Sequence, residues 1–115
     1  MIQATERTDL QKLEIYLDQH YMEKLSLESI SRELQIGRTK LCRLAKELSG
    51  GETLSHLIAQ RRMNAAKSLL LQNDLPISAV AEAVGISDYN YFSRVFRTVT
   101  GCTPRDFRKK WRHNA

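Results

Sequence analysis

Cysteine, proline and glycine are all scarce in this chain of 115 residues, which holds two, two and five of them. Cys42 and Cys102 cannot build a disulfide framework, and neither stands at metal-ligand spacing from another cysteine or a histidine. No apolar run approaches 18 residues and no amino-terminal signal pattern is present, so a membrane-spanning helix is excluded and the cytoplasm is expected. No stretch alternates polar and apolar residues convincingly, which excludes a sheet and leaves an all-α fold. Paired carboxylates, a Ser-His-Asp set and a glycine-rich phosphate loop are also missing in any credible context, so neither enzymatic activity nor a cofactor or metal is expected.

What is present is an ordinary packed-core composition, 42% hydrophobic and 27% charged. The net charge of +5 is placed unevenly: residues 1–33 carry four basic and seven acidic side chains, residues 34–115 fourteen and six. Polarised basicity of this kind favours a polyanionic partner, nucleic acid foremost.

The longest uninterrupted pattern runs from Leu54 to Gln72 without glycine or proline. Leu54, Leu57, Ile58, Ala65, Ala66, Leu69 and Leu70 recur near a 3.6 period, opposite Gln60, Arg61, Asn64 and Lys67. This predicts a connector helix of roughly 28 Å at 1.5 Å per residue. Before it, Thr8 with Gln11 gives a capping-box signal for a helix from Asp9 to Met22 carrying Leu10, Leu13, Ile15, Leu17 and Tyr21. Ser26 reads as the N-cap of a short helix, Leu27 to Leu34, and a turn at Gln35-Ile36-Gly37 leads into Arg38 to Ser49, stopped by Gly50-Gly51. After it, Pro76 suits the first position of a helix ending at Val84. Ser87 is a candidate N-cap for Asp88 to Thr100, with Phe92, Val95, Phe96 and Val99 inward. Thr103-Pro104-Arg105-Asp106 opens a last helix through Trp111. The expected architecture is seven helices in two helix-turn-helix subdomains of three-helix, homeodomain-like plan, residues 9–53 and 74–115. They are joined by the connector at 54–73, with a flexible segment at 1–8.

The flanks of the connector repeat. At an offset of 50, Leu27, Ile30, Leu34 and Ile36 meet Ile77, Val80, Val84 and Ile86; at 51, Leu41, Arg43, Leu44, Leu48 and Gly50 meet Phe92, Arg94, Val95, Val99 and Gly101. A short helix, a tight turn and a longer helix make the helix-turn-helix plan, whose second helix enters the major groove. Its outward residues must be polar. On the first long helix these are Arg38, Thr39, Lys40, Cys42, Arg43 and Lys46; on the second, Tyr89, Asn90, Tyr91, Ser93, Arg94 and Arg97. Arginine can bond guanine bidentately, asparagine adenine, and tyrosine or threonine a phosphate or thymine methyl. A connector of about 28 Å would let both helices meet grooves that recur every ~34 Å, with some DNA bending and no need to dimerise.

On these residues the chain resembles the DNA-binding domain of the AraC/XylS family of bacterial transcription regulators, from about Asp9 to Arg112. The strongest match is Ile77 to Phe107, through Ala81, Val84-Gly85-Ile86-Ser87, Tyr91-Phe92-Ser93-Arg94-Val95-Phe96, Gly101 and Thr103-Pro104. Arg62-Met63, Ala66 and Leu69-Leu70 also fit. The resemblance implies double-stranded promoter DNA as partner, with base contacts from Thr39, Cys42 and Arg43 and from Asn90, Tyr91, Ser93 and Arg94. It also implies a contact with RNA polymerase if the protein activates, and a location at the bacterial nucleoid. Three positions depart from the family pattern: Gln35 in place of a turn glycine, Gly37 in place of an N-cap serine, and Ala45 in place of a buried phenylalanine. The last would thin the first core unless a neighbour fills it.

The remaining candidates are weaker. His20, His56 and His113 stand singly, and His56 occupies the slot of Phe107, which favours a half-buried packing role over a ligand. Cys42 lacks a resolving partner for redox switching. Trp111, amid Arg108, Lys109, Lys110 and Arg112, fits stacking on the core beside cations that meet phosphate or solvent. With no ligand pocket, phosphoacceptor constellation or dimerisation seam visible, the chain reads as the output domain of a larger regulator with a linked sensor or receiver domain. Two rival readings differ in class. A helical protein-interaction domain binding an acidic partner would tolerate Arg43→Ala and Arg94→Ala in DNA binding and leave no footprint. An RNA binder would prefer single strands, yet no aromatic platform for stacking is evident.

Overall fold

A computed structural model describes the backbone of residues 4–113 and the side chains of residues 8–112. Among these residues there are seven α-helices and no strand: α1 Ala4–His20, α2 Leu27–Leu34, α3 Arg38–Ser49, α4 Leu54–Gln72, α5 Ile77–Ala83, α6 Tyr89–Thr100 and α7 Pro104–His113. The chain divides into two compact units, residues 1–58 and 59–115. The boundary falls inside α4, so the first turns of that helix belong to the first unit and the rest to the second, in place of a connector separate from both.

In the first unit α1 starts earlier than the capping signal predicts. The tract from Ala4 has no glycine or proline, so the helix runs through residues 4–8 and places Thr8 and Gln11 inside it. The expected flexible segment is therefore helical over residues 4–8, while residues 1–3 lie outside the described residues. α1 also ends at His20, where a turn closes through the Glu23 N–H onto the His20 carbonyl at 2.9 Å. Leu13 and Leu17, one turn apart, are fully buried, whereas Ile15 points to the opposite face and is 56% exposed. They join Ile30, Ile36, Leu41, Leu44, Ala45, Leu54, Leu57 and Ile58 in one aliphatic core. Ala45 has no exposed surface, so bulkier neighbours close over the position where the family pattern carries an aromatic.

Local chemistry sets the ends of α2. The Ser29 N–H donates to Ser26 Oγ at 3.0 Å, and the Ser26 N–H donates to Ser29 Oγ at 3.0 Å, a reciprocal capping box. The helix stops because Gln35 takes a left-handed conformation at φ 57° and ψ 42°. The Ile36 N–H then bonds back to the Ser31 carbonyl at 3.2 Å, and Gly37 opens α3 without a side-chain cap.

The second unit repeats the plan with an aromatic core. Phe92 and Phe96 have no exposed surface; their rings lie 5.8 Å apart, and Phe96 meets Phe107 edge-on at 5.4 Å. Met63, Ala66 and Leu70 of α4 and Val80, Ala81, Val84 and Ile86 are also buried. Val95 is half-buried, and Val99, expected inward, is 43% exposed because it sits on the last turn of α6, past the Phe92–Phe96 contact. Two terminus assignments shift by one residue. Pro76 is the N-cap of α5 instead of its first turn, and α6 begins at Tyr89 with Asp88, not Ser87, as its N-cap. The Tyr91 N–H donates to Asp88 Oδ1 at 3.2 Å, which the shorter serine one residue earlier does not do. Thr103 caps α7 through the Asp106 N–H at 3.1 Å, as its sequence predicts. Arg108 then ties α7 to the end of α4, donating from Nε to the Leu70 carbonyl at 3.0 Å and from Nη2 to the Asn73 carbonyl at 3.3 Å.

Candidate nucleic-acid interface

The outward face of α3 follows from its apolar stripe. With Leu41, Leu44 and Ala45 buried, the 3.6-residue period turns positions 39, 42, 43 and 46 the other way. Thr39, Cys42, Arg43 and Lys46 are all exposed and together line one shallow concavity. The other two candidates of this helix lie off that face. Arg38 Nη1 is 3.3 Å from Glu28 Oε1 of α2, and Lys40 Nζ is 2.7 Å from Asp9 Oδ2 of α1. Arg43 stays on the face but leans along the helix, 3.7 Å from Glu47 Oε1. Beside Cys42 a second depression of about 210 Å³ is lined by Leu25, Leu27, Leu54 and Ile58 among others.

On α6 the equivalent positions are Asn90, Ser93, Arg94 and Arg97. Asn90, Arg94 and Arg97 are exposed and Ser93 is half-buried, while Phe92 and Phe96 hold the opposite side in the core. Tyr89 and Tyr91 are exposed at 44% and 50%, a large apolar-edged surface for one helix turn. The Arg94 guanidinium carbon lies 6.0 Å from the Tyr91 ring centre, within cation–π range. Gly85, at φ 94°, makes the tight turn into this helix, and Gly101, at φ 87°, ends it. Each unit therefore presents a polar, arginine-bearing helix face whose direction is set by two or three buried residues on its reverse.

The profile of the family described as "Helix-turn-helix domain" matches residues 30–110, which spans both units. This chain belongs to the AraC/XylS-type helix-turn-helix family. It is 34% identical over 98 residues to the HTH-type transcriptional regulator ExsA of Pseudomonas aeruginosa, covering 83% of this chain and 34% of that protein. Among solved structures it resembles the C-terminal domain of AraT, a response regulator from Geobacillus stearothermophilus. That match has a TM-score of 0.83 and 32% identity, over 89% of this chain and 84% of the other. It also resembles a transcriptional regulator from Chromobacterium violaceum described as an AraC-type DNA-binding domain-containing protein. There the TM-score is 0.83 and the identity 28%, over 94% of this chain and 96% of the other. The chain spans between about a fifth and under a half of the length of the curated relatives it matches, most of which are named as transcriptional regulators or activators.

Some residues of this AraC-type domain bear on the site without having been read from the sequence as part of it. Arg62 of α4 is half-buried, and burial pulls its guanidinium pKa down while interaction with Tyr91 opposes the shift. Glu28, Asp9 and Glu47 partner three of the four basic side chains on α3. Only the Arg43–Glu47 pair has a sequence signal, its i,i+4 spacing; the other two join residues on different helices. His56 is half-buried, in keeping with the packing role expected of it, and the side chain of His113 lies outside the described residues. Trp111 is 47% exposed, 6.1 Å from the Phe107 ring, with Lys110 Nζ 5.5 Å from its own ring centre. Among the described residues no group of three or more His, Cys, Asp or Glu side chains is placed to hold a metal, and no helix is long and apolar enough to cross a membrane.

Proposed function

We propose that this chain is the DNA-reading part of a bacterial transcription regulator and binds a specific double-stranded promoter site with α3 and α6 in major grooves. The observation that carries this reading is the pair of helix-turn-helix units, each with its apolar stripe buried and arginine and hydroxyl side chains turned to solvent. Thr39, Cys42 and Arg43 in the first unit, and Asn90, Tyr91, Ser93 and Arg94 in the second, read base edges. Lys46, Arg97 and Tyr89 meet phosphate, which positions the helices and makes affinity depend on salt. Arg38 and Lys40 contribute only where DNA displaces their carboxylate partners, Glu28 and Asp9. The names of the relatives support the regulatory role. That reading adds three partners: a covalently linked sensor or receiver domain, RNA polymerase, and the promoter DNA of the nucleoid in the cytoplasm. It assigns the chain no chemical reaction and no cofactor.

Selection of random duplex DNA on the purified chain, followed by sequencing and footprinting at two salt concentrations, tests this directly. Two short enriched blocks one helical turn apart are the expected result. A single block would restrict base reading to one unit. Absence of any enrichment or footprint would replace the reading with a helical domain that binds an acidic protein partner.

A further inference from the structure

The two recognition helices share a plan but not an electrostatic setting. The first unit, residues 1–58, holds eight basic and nine acidic side chains; the second, residues 59–115, holds ten and four. On α3 three of four basic side chains already face a carboxylate: Arg38 faces Glu28, Lys40 faces Asp9 and Arg43 faces Glu47, at 3.3, 2.7 and 3.7 Å. On α6 neither Arg94 nor Arg97 has a carboxylate within 4 Å among the described residues; Arg94 lies against the Tyr91 ring instead.

Exposed pairs such as Arg38–Glu28 and Arg43–Glu47 contribute only about 0–1 kcal/mol to folding, so stability is a poor account of them. Their effect on a polyanion is larger. Each carboxylate cancels the attraction of its arginine for phosphate, which is the same on every DNA sequence. A guanine edge offers Arg43 two acceptors in the fork geometry of a guanidinium and can take the place of Glu47. Discrimination between partners is often built by such repulsion against the wrong one.

We propose that Glu28 and Glu47 are specificity-determining residues, which hold the arginines of α3 off sequence-neutral phosphate and restrict the first unit to sites whose bases replace the carboxylates. The second unit then supplies the non-specific attraction that brings the chain to DNA. This inference rests on the reading of the chain as a duplex-DNA binder.

The test measures binding of the whole 115-residue chain to a random-sequence duplex by fluorescence anisotropy, between about 50 and 200 mM salt. The variants are Glu28→Gln, Glu47→Gln and the control Glu14→Gln, an exposed residue of α1 that makes the same charge change. Circular dichroism checks that each variant keeps the helical content of the parent. Glu28→Gln and Glu47→Gln are each expected to raise random-duplex affinity roughly three- to tenfold at low salt, with the log–log salt slope about 0.9 steeper per substitution. Their preference for the selected site over random DNA should fall by the same factor, while Glu14→Gln changes neither quantity appreciably. If Glu14→Gln acts as strongly as the other two, or if those two leave slope and preference unchanged, the specificity role is wrong although the chain binds DNA. If the unaltered chain binds no duplex even at low salt, the DNA reading fails and the specificity role fails with it.

Discussion

Gln35 and Gly85 occupy equivalent turns between the two helices of each unit, and both hold a left-handed backbone, at φ 57° and φ 94°. Glycine adopts that region freely, whereas a side chain with a Cβ is strained there by about 1 kcal/mol or more. Replacing Gln35 by glycine is therefore expected to stabilise the first unit by about 1 kcal/mol, read as a higher urea midpoint with unchanged slope. At the interface the two arginines of α6 are expected to behave differently. Arg94→Ala should cost about 1–3 kcal/mol on a selected site and relax preference at one base pair. Arg97→Ala should weaken binding to all sequences alike and reduce the salt slope by about 0.9. Binding titrations on selected and random duplexes separate the two roles, and an unchanged preference for Arg94→Ala would remove Arg94 from base reading.

At the scale of an element, helix ends decide where side chains point. A shift of one residue at the start of α6 would rotate the register of its exposed face by about 100°, so the cap that fixes this start matters for recognition. Asp88 supplies it through the Tyr91 N–H. Asp88→Ala is expected to lose about 1 kcal/mol of stability and Ser87→Ala less than about 0.5 kcal/mol, by chemical unfolding of the two variants in parallel. The far end of α7 carries a pH-dependent tie to the loop after α4. Asp74 accepts a hydrogen bond from Arg112 Nη1. That bond, the charge of Arg112 and the more distant charge of Arg108 hold the carboxyl below its ordinary value near 3.8, with slight burial opposing them. Because the folded pKa lies below the unfolded one, the unfolded chain binds more protons, and the contribution is complete at neutral pH and lost as pH falls through the folded value. Asp74→Asn should thus lower the melting temperature slightly at pH 7, and the difference from the unaltered chain should close as the pH falls through the lowered pKa of the folded carboxyl.

For the molecule as a whole, two units of one plan present different outward faces. Thr39, Cys42, Arg43 and Lys46 correspond to Asn90, Ser93, Arg94 and Arg97, so three of the four positions differ in their hydrogen-bonding chemistry or reach. Two unlike readers on one polypeptide fit a non-palindromic site, whereas a symmetric dimer of single readers fits a palindrome. The expected stoichiometry is one chain per selected duplex, measured by native mass spectrometry or sedimentation on a duplex spanning both blocks. Two chains bound across a palindromic site would overturn that arrangement.

Periodicity and local chemistry were enough to place most of this. The burial of Leu41, Leu44 and Phe92, the N-cap at Ser26, the cap at Thr103 and the extent of α4 are decided by residues within one helix turn of each other, so a linear reading reaches them. The repeat at offsets of 50 and 51, with its agreement with the AraC/XylS pattern, likewise made the helix-turn-helix plan and the candidate faces legible in the sequence. The early start of α1 and the choice of Asp88 over Ser87 turned on competition between adjacent helix starts, and the exposure of Ile15 and Val99 on which side of each helix the core covers. Most of all, the state of the cations on α3 was a tertiary matter. Arg38 and Lys40 read as exposed basic residues along the chain, and only folding brings Glu28 of α2 and Asp9 of α1 to them. Charge acts through space at a few ångströms regardless of separation along the chain, so its balance at a binding face is settled when the helices pack.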